Sequence, residues 1–91
     1  MANLFYLSIL TPEKAVFSGQ VEYVEVPGAE GYLGVLAHHA ALVTALAAGD
    51  LTVRTPDGAT SKLAVSGGFF EVSNNKASVL ADSVTGAIGA G

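Results

Sequence analysis

The side chains able to do chemistry at neutral pH are few. His38 and His39 are the only histidines, and there is no cysteine. Neighbouring residues on an extended backbone point to opposite faces, so the two imidazoles cannot grip one metal ion, and no thiolate exists to complete a site. The expectation is one solvated histidine and one bonded to loop backbone. Ser66-Gly67-Gly68 invites comparison with a nucleophile elbow, but Ala64 stands two positions before Ser66 where that motif needs glycine, and no helical pattern follows. Glu30, between Gly28, Gly31 and Gly34, reads as a solvated turn carboxylate or as a docking group. No catalytic, cofactor-binding or metal-binding residue is expected.

These residues lie in or near the stretch from Pro27 to Asp50, PGAEGYLGVLAHHAALVTALAAGD, where short strands give way to glycine-punctuated sequence. Glycines at three-residue intervals allow positive φ or close backbone approach, so a structured loop is expected. Tyr32, Leu33, Val35 and Leu36 are more apolar groups than a small domain can all bury. The stretch therefore suggests a docking surface.

Ninety-one residues make one domain with a single core. At 51% hydrophobic and only 13% charged, the chain is apolar for its size, and part of that surface is expected to meet a partner. The net charge of −4, with no basic run, supplies no footprint for a phosphate backbone, so no nucleic acid is expected. The absence of cysteine excludes a disulfide framework and fits a reducing compartment. The N-terminus lacks a basic leader and a small-residue cleavage site, and reads as a first strand. No run approaches the roughly 18 apolar residues of a membrane span.

Phe5, Leu7 and Ile9 alternate with Leu4, Tyr6, Ser8 and Leu10, a strand with one strongly apolar face and one mixed face. Thr11-Pro12 ends it. Residues 13–17 read as an extended connection, Ser18-Gly19 as a turn, and 21–26 as a strand with a bulge near Glu22-Tyr23. Residues 42–46 read as a strand, Ala47-Ala48-Gly49-Asp50 as a turn, and 51–54 and 61–65 as a hairpin closed by Pro56-Asp57-Gly58. Ser66-Gly67-Gly68 reads as a bend feeding 69–73. Asn74-Asn75 then turns the chain into a last strand at 77–82. From Ser83 onward, three glycines in SVTGAIGAG predict a frayed tail. Short strands with turns between them and no helical period predict an all-β sandwich or barrel.

Four motifs carry a resemblance: TPEKAVFSG from Thr11, VEVPGAEGYLGVL ending at Leu36 with His38-His39-Ala40 beyond it, LAAGDLTV from Leu46, and VSGGFFEVSNNKASVLAD from Val65. With them the chain resembles, almost end to end, the N-terminal β-domain of the epsilon subunit of bacterial F-type ATP synthase, called delta in mitochondria. The resemblance implies a flattened β-sandwich of about ten short strands in two sheets over residues 1–83, with 84–91 a flexible glycine-rich tail. It implies a non-catalytic subunit of the rotating central stalk that joins the gamma subunit to the membrane c-ring and couples proton flow to ATP synthesis. Membrane contact would come only through the complex. Its place would be the cytoplasmic face of a bacterial inner membrane, or the stromal or matrix face of an organelle membrane.

By residue matching, Glu30, Gly31 and Tyr32 would face the c-ring loops, and Thr11, His39, Thr44 and Ser66 the gamma subunit. Ala37-His38-His39-Ala40-Ala41 departs from the family's usual Pro-Gly-His-Ala-Pro: both prolines are absent and His38 replaces a small residue. Family members usually continue into a helical hairpin that can inhibit ATP hydrolysis; that arm is not carried over. A free-standing β-sandwich binding module is the alternative. Its signature would be a concave aromatic cluster, against which the seven aromatics are scattered and tryptophan is absent. An enzyme would need a nucleophile-base pair or a metal site.

Overall fold

The computed structural model describes residues 3–88, which form eight strands and no helix. They are β1 Phe5–Leu10, β2 Ala15–Val21, β3 Tyr23–Gly28, β4 Gly31–Val35, β5 Leu42–Arg54, β6 Thr60–Ser73, β7 Lys76–Ala81 and β8 Val84–Thr85. Hydrogen bonding runs in the order β2-β1-β7-β6-β5-β3-β4, with β8 on β6. Every pairing is antiparallel except β1 with β7. The all-β expectation holds; the strands number eight rather than about ten, because two of them are 13 and 14 residues long.

One core cluster takes buried side chains from β1 through β7, including Phe5, Leu7, Ile9, Val24, Leu51, Phe70 and Val79. No helix covers that face, so the sheet must cover itself. Laid flat, seven strands would span about 30 Å but only one layer. The shortest extent is 21 Å, as two layers packed about 10 Å apart require.

β5 and β6 carry the chain from one layer to the other. They keep a single register from Leu42↔Val72 to Arg54↔Thr60, yet the inward parity changes along both. In β5 the inner positions are Leu42, Thr44 and Leu46, then Gly49, Leu51 and Val53; in β6 they are Leu63, Val65 and Gly67, then Phe70 and Val72. The exchange occurs at Ala47-Ala48 opposite Ser66-Gly67-Gly68. Gly67 and Gly68 have φ of 122° and 124°, which side chains rarely adopt. A Cβ on Gly68 would collide with the carbonyl oxygen of Leu80. The ribbon thus turns one face to one layer and the opposite face to the other.

This arrangement corrects several local readings. Ala47-Ala48-Gly49-Asp50 is not a turn but the middle of β5, since small residues serve a strand whose face is being exchanged. Ser18-Gly19 lies inside β2, paired with Ser8 and Leu7; the ring of Phe17 occupies the space a Cβ on Gly19 would need. Residues 21–26 are not one strand. Val21 ends β2, and at Glu22 the chain leaves β1 for β5, with the Glu22 amide donating to the Arg54 carbonyl at 2.9 Å. The glycine-rich loop beyond Pro27 is largely a hairpin of β3 and β4, turning at Ala29-Glu30. Val84 and Thr85, expected in the frayed tail, pair with Val65 and Ala64, while Val84 and Ile88 pack against the core. Residues 89–91 lie outside the described residues.

The turns at 55–59 and 74–75 are as read from the sequence. Gly58 has φ 89°, its amide donates to Thr55 at 2.9 Å, and Asn74 and Asn75 sit at 52° and 61°.

Candidate partner surface

The β3–β4 hairpin exists because residues able to close a two-residue turn sit between alternating strands. Its tip presents Glu30 and Gly31, both exposed, and Gly31 has φ 133°. Tyr32 is 59% exposed, yet its ring is not loose. Its hydroxyl accepts a hydrogen bond from the Asp50 amide at 3.2 Å, and a Cβ on Gly49 would stand 2.9 Å from that oxygen. Gly49 therefore makes room for Tyr32 to lie across β5.

Val43 and Thr44, near the start of β5, close the other side of a cleft lined by Glu30, Gly31, Tyr32 and Leu33. Thr44 is half-buried, with Oγ1 donating to the Ala45 carbonyl at 3.2 Å. Two sets of residues that the resemblance separates, Glu30–Tyr32 and Thr44, thus share one cleft.

Thr11 follows β1 and closes a short turn: its amide donates to the Lys14 carbonyl at 2.9 Å, and the Lys14 amide donates back to Thr11 Oγ1 at 3.3 Å. Ser66 is exposed at the parity exchange of β6, its Oγ accepting from Ser83 at 2.7 Å. His39 precedes β5; its Nδ1 lies 2.8 Å from the Ala40 carbonyl, so this ring nitrogen carries the proton and donates. His38 is exposed and stands at φ 64°, not on extended backbone as the parity argument assumed. Among the described residues no three His, Asp or Glu side chains converge as a metal set.

Sequence reasoning missed the apolar part of this surface. Leu10, Leu80 and Phe69 are 36%, 50% and 58% exposed and stand side by side across β1, β7 and β6, paired Leu10↔Leu80 and Phe69↔Leu80. Ala45 continues the row on β5, and Val43, 68% exposed, adjoins it. The available signal was parity. Leu10 falls opposite to Phe5, Leu7 and Ile9, and Phe69-Phe70 can bury only one ring.

In this β-sandwich Leu10, Leu80, Phe69 and Val43 form an exposed apolar patch, beside a hairpin tip carrying a carboxylate and a tyrosine, and contiguous patches of this kind mark interaction sites. The family model of the ATP synthase delta/epsilon chain β-sandwich domain matches residues 4–87. The chain belongs to that family. It is 54% identical over 82 residues to the ATP synthase epsilon chain of Desulforamulus reducens, covering 90% of this chain and 61% of that one. With the epsilon chain of Protochlamydia amoebophila it shares 47% over 81 residues, 89% of this chain and 55% of the relative. The chain thus spans just over half the length of these relatives.

Among solved structures it superposes with TM-score 0.87 and 25% identity on a chain of the Euglena gracilis mitochondrial ATP synthase OSCP/F1/c-ring assembly. That match covers 91% of this chain and 53% of the other. The fold also recurs, at TM-score 0.78 and 15% identity, in the central stalk/c-ring of the Tetrahymena thermophila mitochondrial ATP synthase, covering 93% of this chain and 68% of that one.

Proposed function

We propose that this chain is a non-catalytic central-stalk subunit of an F-type ATP synthase, seated between the gamma subunit and the c-ring and coupling proton flow to ATP synthesis. The observation that carries the reading is the family match over residues 4–87, joined to 54% identity with an epsilon chain. The surface supports it: a sandwich can transmit torque between two partners only if both dock on ordered elements, and here Gly31, Tyr32, Thr44 and Ser66 sit on strands, Glu30 in the tight β3–β4 turn, and Thr11 in a turn closed by its own hydrogen bonds to Lys14. In this reading Glu30, Gly31 and Tyr32 meet the ring loops, and Thr11, His39, Thr44 and Ser66 meet gamma. In this reading residues 4–87, including β8, act as the docking domain. The complex, not this chain, holds the subunit at the membrane, on the cytoplasmic face in a bacterium or the stromal or matrix face in an organelle.

The test is affinity purification of the tagged chain from membranes of cells whose own epsilon chain it replaces. Recovery of gamma and c-ring together with proton-driven ATP synthesis supports the reading. Recovery of the chain alone, from cells lacking synthesis, contradicts it.

A further inference from the structure

β2 ends the sheet: it pairs with β1, and no other described strand pairs with it. Which of its backbone groups are left over follows from β1. The Tyr6 amide donates to the Asn75 carbonyl at 3.2 Å beside the parallel β1–β7 pairing, so Tyr6 and Ser8 direct their peptide groups to β7, and Phe5, Leu7 and Ile9 direct theirs to β2. These three stand opposite Val21, Gly19 and Phe17. The amides and carbonyls of Val16, Ser18 and Gln20 therefore point out of the sheet edge. Native sheets commonly blunt such an edge with lysine, proline or an inward charge. β2, with the sequence AVFSGQV, holds none of these. Its charges stand just outside it, exposed Lys14 before and half-buried Glu22 after.

We infer that β2 is the contact through which the free chain pairs with a second copy of itself, the two strands lying antiparallel about a two-fold axis at Ser18 and joining the two sheets into one. The inference goes beyond the stalk reading, which needs no second copy, and does not rest on it. Three features of the strand select that occupant. With Ser18 opposite Ser18, Val16 falls opposite Gln20, so each of the three outward residues donates one bond and accepts one. The same register sets Lys14 opposite Glu22 on both sides of the axis, so the flanking charges are complementary. It also sets Phe17 opposite Gly19, an aromatic ring across from a glycine, on the face they share with buried Val21. The strand is thus its own complement, as an isologous contact requires. β4, at the other end of the sheet, is not: it has five residues, two of them glycine, and about its central Leu33 the flanking Glu30 falls opposite Leu36.

The test is sedimentation equilibrium of the purified chain and of Lys14→Glu, Glu22→Lys, the double variant Lys14→Glu/Glu22→Lys, Ser18→Pro and Phe69→Asp, each with a urea midpoint to verify its fold. A single strand pair lies at the small, weak end of interfaces, so wild-type dimer is expected to grow in across the micromolar-to-millimolar range. Proline at Ser18 removes an outward amide without touching a β1 bond, and is expected to abolish the dimer. It also removes the hydroxyl that meets Tyr6; should its urea midpoint fall, the charge variants decide. Each single charge reversal alters two pairs, one on each side of the axis, and is expected to weaken dimerisation about tenfold. The double variant exchanges the two signs and is expected to return it to within threefold of wild type. Phe69→Asp, on β6, is expected to stay within threefold. A wild-type chain that is monomeric throughout that range overturns the inference, as does a dimer that survives Ser18→Pro with its fold intact, or a loss in Lys14→Glu that the double variant does not repair. Dimers dispersed by Phe69→Asp alone place the second copy on the apolar row and overturn it too. A monomeric chain whose Ser18 amide gains hydrogen-exchange protection only when purified gamma subunit is added shows a foreign strand on the edge, and likewise overturns it. None of these results decides the stalk reading, whose own test is recovery of gamma and c-ring.

Discussion

The backbone amide of His38 donates to Asn75 Oδ1 at 2.7 Å, joining the connection before β5 to the β6–β7 turn. Asn75 also donates from Nδ2 to the Leu4 carbonyl at 3.0 Å, and its own carbonyl accepts from the Tyr6 amide at 3.2 Å. One turn residue therefore ties the N-terminal strand to the His38-His39 segment. His38 needs that tie, because at φ 64° it occupies a conformation that costs a side-chain-bearing residue about 1–2 kcal/mol. Where the resembled family has a small residue, this chain holds the backbone by a side-chain clamp from another strand pair.

Asn75→Ala removes both side-chain bonds and is expected to destabilise the fold by about 1–3 kcal/mol. His38→Gly relieves the conformational cost at the expense of unfolded-state entropy, and is expected to be neutral or stabilising by up to about 1 kcal/mol. Urea denaturation of the three proteins checks both. A destabilised His38→Gly would show that the imidazole itself holds the segment.

Two glycines with positive φ should respond very differently to alanine. At Gly68, φ 124°, the new methyl runs into the Leu80 carbonyl and the Ala81 Cα, and the backbone of β7 cannot move aside. Loss of more than about 3 kcal/mol is expected. At Gly58, φ 89°, nothing lies within 4 Å, so only the conformational cost remains, about 1–2 kcal/mol. Thermal unfolding of both variants measures the contrast.

How much of this could be read beforehand depended on range. Turns with local chemistry, Pro56-Asp57-Gly58 and Asn74-Asn75, were legible because their bonds are made within a few residues. The β5–β6 ribbon was not, because Ala47-Ala48-Gly49-Asp50 has the composition of a turn and becomes strand only through its pairing with Ser66, Val65 and Ala64. Gly49 looked like a turn residue for the same reason, although its lack of a Cβ admits the Tyr32 hydroxyl and Pro27 from the β3–β4 hairpin. For the candidate surface, the polar members came from motif matching. The apolar members Leu10, Leu80 and Phe69 emerge only once parity and register are known, since it is cross-strand pairing that makes them neighbours.

Asp57 supplies a pH signature. The Thr55 hydroxyl, donating at 2.5 Å, and then the Ala59 amide, at 3.1 Å, hold its carboxyl below its ordinary 3.8. A depressed folded-state value gives stability that is present above the unfolded value and lost as pH falls through the folded one. The wild type is therefore expected to lose stability as pH falls below about 4 more steeply than Asp57→Asn does. Urea midpoints measured from neutral pH down through the acid range check it, and parallel curves would show that the turn bonds are indifferent to the charge.

Glu30→Ala should leave the fold untouched, since Glu30 is exposed at a hairpin tip. A surface pair with a ring loop contributes about 1 kcal/mol or less, so ATP synthesis should fall severalfold at most. Tyr32→Ala should cost more. It removes the ring lying across Gly49 and the acceptor for the Asp50 amide, loosening the hairpin against β5. Hydrogen exchange at Asp50 reports that loosening directly.

The most direct test of the stalk reading is a cross-linking map within the assembled synthase, using single cysteines at Glu30, Ser66 and Lys62. The first two lie on the candidate surface, and Lys62 is exposed on the half of β6 beyond the parity exchange. The account predicts that Glu30→Cys links to the c-ring, Ser66→Cys to gamma, and Lys62→Cys to neither. Links to gamma from Glu30 and to the ring from Ser66, or no link from either while Lys62 reacts with both, would contradict it.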